Sequence, residues 1–275
     1  MQMTAAARWE QALAAWAIPP AILAAAPESP WTFPPALFAA RADAARGQQT
    51  PSSEVARAAL PAGGVVLDVG CGAGAASLPL AAQAGTLIGV DPSADLLAAF
   101  AERAAATGRT AQTVQGTWPA SAGQTPRADV VVCHHVVYNV PDLPAFVQAL
   151  TAHARGRVVL ELTARHPLSD LNALWLQFHG LVRPGEPTAD TVVAVLREMG
   201  MAPERRDWTT PASGPAGGFA QPADLVAWTR RRLCLPASRD PEIATALAAH
   251  LADPTGAWRL RPRAVVTLWW AGSGA

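Results

Sequence analysis

The stretch VVLDVGCGAGAASLPLA, Val65 to Ala81, is a short apolar run followed by three glycines at alternate positions. Val65–Val69 is interrupted only by Asp68, the pattern of a strand buried on both faces. Gly70, Gly72 and Gly74 then strip the side chains from a tight turn. Its backbone can pass through positive φ there and come close to a ligand. An Ala-rich helix running to about Ala84 is expected next, with Pro79 tolerable only near its first turn.

Composition narrows the class around this turn. The 275 residues suffice for one large α/β domain, or a domain plus a cap. At 51% hydrophobic and 15% charged, the chain has ample material for a core and too little charge for disorder. Formal net charge is zero, lysine is absent, and the only dense basic cluster is Arg230–Arg232. Nucleic acids demand a basic face to neutralise phosphates, so none is expected as a partner; a small-molecule substrate is. Cys71, Cys133 and Cys234 form no CxxC pair, which fits a reducing cytoplasm. The six histidines show no HExxH or similar spacing, so no metal site is expected. The N-terminus carries an A-x-A-like triplet at Ala24–Ala26, yet Glu10, Gln11 and Pro19–Pro20 break its apolar character. An amphipathic helix is expected there, neither an export signal nor a membrane anchor. A monomer or homodimer is expected.

Residues 1–60 read as Pro-punctuated helices near Thr4–Ala17, Pro35–Arg46 and Ser52–Leu60, an N-terminal helical cap or lid. From residue 61 to 275 strand and helix alternate. Strands are expected at Val65–Val69, Thr86–Val90, Thr110–Gln115, Ala128–His134 and Arg157–Leu162. A helix follows Asp91-Pro92 with Ser93 as N-cap and Gly108 as its stop, and Asp142 caps another that ends near His153. Ala189–Met199 is a further helix stopped by Gly200. Helical inserts at about 164–187 and 222–252 precede a last strand in PRAVVTLWWAG. Such alternation predicts an α/β fold with a doubly wound, mostly parallel sheet.

The glycine turn alone leaves the ligand open. Gly70-x-Gly72-x-x-Ala75 satisfies the dinucleotide fingerprint with its permitted alanine, and Asp91 after the second strand suits the ribose of either a nicotinamide dinucleotide or S-adenosylmethionine (SAM). The wider order of motifs is more specific. Asp68-x-Gly70-x-Gly72-x-Gly74, GVDPS at Gly89–Ser93, GTWP at Gly116–Pro119 and ADVVVCHHVVYNVPD at Ala128–Asp142 together resemble the class I, Rossmann-like SAM-dependent methyltransferases. The resemblance covers roughly Pro61 to Leu162.

It implies a seven-stranded sheet with its last strand antiparallel, and SAM as cofactor. Asp68, Gly70, Cys71, Gly72 and Gly74 would lie against its methionine end and ribose, with Asp68 reaching the amino group. Asp91, followed by Pro92, would accept the ribose hydroxyls. The family usually supplies an acidic side chain to the adenine from the segment after strand three. Thr117 and Trp118 stand there instead, which implies backbone contacts and stacking. Cys133 and His134 close strand four, where donor meets acceptor in this fold.

His134 and His135 end that strand, and alternation sends one into the site and the other under a helix. With His166 they are candidate bases, since methyl transfer to a hydroxyl or a protonated amine needs a proton removed. Tyr138, the only tyrosine, lies beside them. In the insert, Asn172, Trp175 and His179 share one helical face and Leu168, Leu171 and Phe178 another, so the first is expected to look into an acceptor cleft. Trp9, Trp16, Trp31 and Phe33 are candidate lid aromatics. The expected function is methyl transfer from SAM to oxygen or nitrogen of a small molecule. An NAD(P)-dependent reductase and a non-catalytic SAM-binding protein are the alternatives.

Overall fold

The computed structural model describes residues 3–31, 35–210, 213–215, 219, 221–251, 259–260 and 262–274. Seven strands form its sheet: β1 (Gly64–Val69), β2 (Ala84–Asp91), β3 (Thr110–Gln115), β4 (Ala128–His134), β5 (Ala154–Thr163), β6 (Glu204–Thr209) and β7 (Ala264–Ala271). Their order is β3-β2-β1-β4-β5-β7-β6. β1 to β5 are mutually parallel, and β7 inserts antiparallel between β5 and β6. The order reverses between β1 and β4, and ligands of open α/β sheets bind outside the carboxyl ends of the strands at such a switch point.

The central strands feed two cores because successive side chains alternate faces. Leu67, Val69, Val131, Cys133 and Leu160 pack under α1 (Ala5–Ala14), α6 (Leu143–His153) and α8 (Ala189–Glu198). Val66, Leu87, Val130, Val132 and Val159 pack under α4 (Pro51–Ala59) and α5 (Ala94–Ala105). A third core lies outside the sheet. It joins Ile18 and Leu37 to residues of α7 (Asn172–His179), α9 (Pro222–Arg232) and α10 (Asp240–Leu251).

The first sixty residues are therefore split, where one cap was expected. α1 packs on α8 and α6, the helices of one sheet face, anchored by Trp9, which is 1% exposed and donates its indole N–H to the Val140 carbonyl at 2.7 Å. Burial of that ring contributes roughly 4–6 kcal/mol by area. α4 is a sheet layer, capped by Thr50 and Ser53 reciprocally. The short α2 (Pro20–Ala24) and α3 (Pro35–Ala45) lie between them, with Ile22 and Leu37 in the third core.

Two other expectations are revised. No α-helix follows the glycine turn: irregular turns and one 3₁₀ turn at Leu78–Leu80 lead straight into β2. Pro79 offers no N–H to a helical ladder, and Gly72 and Gly74 keep φ at 51° and 100°. β6, unrecognised in the sequence, is the polar segment ERRDWT; only Trp208 is half-buried, as an edge strand permits.

Candidate active site

The glycine turn carries the sharpest electrostatic feature of the molecule. Gly70 has φ 71°, and a Cβ there would stand 2.3 Å from Val136 Cγ2, so the turn touches the segment that leaves β4. Gly72 lies under Phe38 of α3, whose ring would meet a Cβ at 3.4 Å. Asp68 is 1% exposed. Its Oδ2 accepts the Ser77 hydroxyl at 2.6 Å, while Oδ1 is buried with no hydrogen-bond partner. Burial pushes this carboxyl up to about 7, with the Asp91 charge adding to the effect and Ser77 opposing it. An orphaned buried carboxylate oxygen is a demand for a donor, best met by a cation.

Asp91 ties the turn to the next helix. Its Oδ2 accepts the Gly72 N–H at 3.0 Å and its Oδ1 the Ser93 N–H at 2.9 Å. A carboxylate has about four lone-pair sites, so each oxygen keeps one for a diol. A ligand with an ammonium at one end and a ribose beyond it matches this pair, and SAM has both. The donor set fits the cofactor. Cys71 contributes backbone to the turn; its buried thiol donates to the Gly72 carbonyl, and burial pushes it well up.

A second polar group closes the ends of β4 and β5 on the same face as Asp68. The register places His134 beside Glu161 and Glu161 beside Thr267 of β7. His135 leaves the strand with φ 60°, rare for a residue with a side chain. Its backbone N–H donates to the Glu161 carbonyl at 2.8 Å, and its Nε2 lies 3.1 Å from Glu161 Oε1. His134 Nδ1 is 3.9 Å from Glu161 Oε2. Burial pushes Glu161 up, but His134, His135 and the Ser52 hydroxyl outweigh it and hold the carboxyl at about 2. Burial lowers His134 below the usual imidazole range. The alternation expectation thus resolves with His134 inside and His135 half-exposed.

A third group links this end to the outer helices. The Tyr138 hydroxyl is 2.7 Å from Thr163 Oγ1 and also accepts the Thr163 N–H; burial raises it to about 12. The His166 ring stacks on Trp16 at 3.9 Å and meets Tyr138 edge-on at 5.6 Å. Its Nδ1 accepts the Leu168 N–H at 3.3 Å as a cap, and burial with the Arg183 charge lowers it to about 4. A neutral ring whose lone pair is already used is a wall, not a base.

Several expected site residues are placed elsewhere. Cys133 is fully buried under α6, because alternation gives it the face opposite His134. Trp118 is half-buried against that same core, with its edge on His153 at 4.8 Å. Thr117 and Pro92 are exposed, yet they stay beside Asp91, whose carbonyl accepts the Gly116 N–H at 3.1 Å. Asn172, Trp175 and His179 are held by neighbouring segments, and of the three Trp175 also lines a small pocket with Trp16, Ile18, Leu171 and Arg183. Asn172 donates to the Pro184 carbonyl at 3.0 Å, Trp175 is 4% exposed in the third core, and His179 Nε2 is 2.6 Å from the Leu233 carbonyl. Trp31 is exposed; Phe33 lies outside the described residues. Glu161, Ser52 and Thr163 went unrecognised in the sequence, although a lone carboxylate inside the apolar run VVLELT is the same signal that Asp68 gives.

Comparisons with known proteins bear on the family and the fold. A family model described as "Methyltransferase domain" matches residues 44–195. The chain is 32% identical over 105 residues to a ubiquinone biosynthesis O-methyltransferase of Aeromonas salmonicida, covering 37% of this chain and 44% of that protein. It is 36% identical over 109 residues to an uncharacterized protein of Haemophilus influenzae, covering 38% and 40%. The matches thus span about two-fifths of the length of these relatives. Among solved structures, the YcgJ protein of Bacillus subtilis superposes with a TM-score of 0.54 at 20% identity, over 82% of this chain and 99% of that one. A putative methyltransferase of Bacillus halodurans gives 0.50 at 17%, over 82% and 97%; both likenesses speak for the fold alone. With the family model spanning more than half of its residues, the chain belongs to the class I SAM-dependent methyltransferases.

Proposed function

We propose that this protein transfers a methyl group from SAM to a proton-bearing oxygen or nitrogen of a small molecule. The observation that carries the reading is the meeting, at one end of the sheet, of a buried unpaired carboxylate oxygen on the glycine turn and a histidine held by a buried glutamate. Asp68 would take the ammonium of the cofactor and Asp91 its ribose hydroxyls, and bound SAM supplies an electrophilic methyl on sulfur. The chain's own part is alignment, exclusion of water and management of the acceptor's proton. Tyr138, His166 and Trp16 form an aromatic wall beside that end, which suits a planar, partly apolar acceptor. The ubiquinone biosynthesis relative is an O-methyltransferase by name, in keeping with such an acceptor. Zero net charge and the absence of lysine favour a metabolite over nucleic acid.

The test is thermal stabilisation. SAM or its demethylated product should raise the melting temperature, and NADH or NADPH should not. A shift with a nicotinamide dinucleotide alone would overturn the proposal. Tight SAM binding without methylation of any small molecule in a cell extract would leave a SAM-binding protein in its place.

A further inference from the structure

Glu161 stands beside a buried pair of hydroxyls, Ser52 and Thr267. The Trp208 indole can only donate, and it does so to Thr267 Oγ1 at 3.0 Å. Thr267 and Ser52 share a hydrogen bond of 2.7 Å, and Thr267 pairs with Glu161 in the register of β7 on β5. The Ser52 hydroxyl also helps to hold the Glu161 carboxyl low. With Glu161 ionised, the favoured order of protons runs from Trp208 through Thr267 and Ser52 towards that carboxylate. Ser52 and Thr267 are completely buried, which removes water as a competing partner.

The opposite side of that carboxylate receives His135 Nε2 at 3.1 Å. An ionised acceptor fixes a proton on Nε2 and so leaves the lone pair of the neutral ring on Nδ1. Among the described residues, no hydrogen bond engages Nδ1, and the side chain is 47% exposed. Glu161 therefore grips His135 twice, through its carbonyl to the backbone and through its carboxylate to the ring. The same grip keeps His135 in its left-handed conformation, at the step before Val136 touches Gly70 of the cofactor turn. Tyr138 faces the imidazole nearly parallel at 6.5 Å between centroids, and His134 lies on the far side of Glu161.

We propose that His135 Nδ1 is the base that takes the proton from a phenolic hydroxyl of the acceptor, with Glu161, Ser52, Thr267 and Trp208 as the positioning relay that sets its tautomer. This rests on the methyltransferase reading above. The acceptor oxygen gives its proton to Nδ1 and forms the new O–CH3 bond. The electron pair of the breaking S–CH3 bond stays on sulfur, which becomes a neutral thioether. His134 is set aside as the base because its ring stands 3.9 Å from Glu161 with Nε2 buried, and His166 because Leu168 occupies its Nδ1.

The tautomer is read directly, without donor or acceptor, by long-range 1H–15N correlation of the histidine rings at a pH where His135 is neutral. Wild type should show His135 as the Nε2–H tautomer. Glu161→Gln should turn it into a mixture, and Ser52→Ala should do so in part with the fold intact. An Nδ1–H tautomer in wild type, or an unchanged ring in Glu161→Gln, overturns the relay. Turnover is then compared on catechol and on 4-nitrophenol at pH 8, where the second is largely ionised. His135→Ala should lose about 10²–10⁴-fold in kcat on catechol, with KM and SAM affinity within a few-fold. It should lose far less on 4-nitrophenol, whose proton is already gone. Equal losses on both acceptors would make His135 structural and overturn the base. Failure of wild type to bind SAM would strike the methyltransferase reading instead, and the tautomer measurement would stand apart from it.

Discussion

Asp68→Asn separates what the glycine turn does for folding from what it does for the cofactor. Asp68 is fully buried with one oxygen unpaired, and its carboxyl titrates at about 7 against an ordinary 3.8. The folded state therefore holds a proton that the unfolded state has released between about pH 4 and 7. Stability falls as pH rises across that window and levels off above it. About three pH units at ~1.4 kcal/mol each set a ceiling of ~4 kcal/mol on the penalty at pH 8. Asparagine escapes the penalty, but its amide N–H groups face the same dry site, at a cost of about 1–3 kcal/mol. The variant should consequently be more stable than wild type at pH 8 by roughly 1–3 kcal/mol, a rise of about 2–10 °C in Tm for a chain of this size. At pH 5 the carboxyl is neutral in the fold and the gain should vanish or reverse. The cofactor should respond in the opposite sense. Loss of a charged hydrogen bond of about 1.5–3 kcal/mol predicts SAM binding weakened about 10- to 100-fold. Thermal melts of both proteins at pH 5 and pH 8, with and without saturating SAM, decide the matter. A variant less stable than wild type by the same amount at both pH values, or one with unchanged SAM affinity, would refute the reasoning.

Three further outcomes follow from single contacts. Gly70→Ala puts a methyl group 2.3 Å from Val136 Cγ2 at φ 71°, so it should cost at least ~2 kcal/mol in denaturant unfolding; an unchanged midpoint would contradict the close approach. His166 titrates at about 4 when folded, below its ordinary 6.5, so the stability it brings is fully present above about 6.5 and is lost as pH falls to about 4. His166→Asn should flatten that part of the stability–pH curve, and parallel curves for variant and wild type would count against it. His179→Ala removes the partner of the Leu233 carbonyl, which should cost about 1 kcal/mol of stability and leave turnover within about two-fold of wild type; a selective loss of kcat would restore His179 to the acceptor site.

What was legible in the sequence is what the chain keeps contiguous. Asp68, the three glycines and Asp91 lie within 24 positions, and one strand–turn–strand unit builds that half of the site from neighbouring residues. Ser93, Asp142 and Gly200 marked helix ends for the same reason, since a cap acts on the next three or four residues. The His135–Glu161 pair was illegible because its partners are 26 positions apart and meet only through the register of β4 on β5. A shift of one residue would send Glu161 into the opposite core. The histidine doublet also hid a choice that alternation cannot make: His134 continues the strand, whereas His135 turns out of it in the left-handed region. The insert misled for a different reason. A helix apolar on one face and mixed on the other looks the same beside a cleft as beside a third core, and α7 is enclosed by α9, α10 and the 180–184 segment. The half proposed for proton removal thus depends on long-range pairing, and the half proposed for the cofactor on local chain geometry. That division predicts where the two can vary independently: substitution of Ser52, which lies away from the His135–Val136 step, should alter proton removal and leave SAM affinity within a few-fold of wild type.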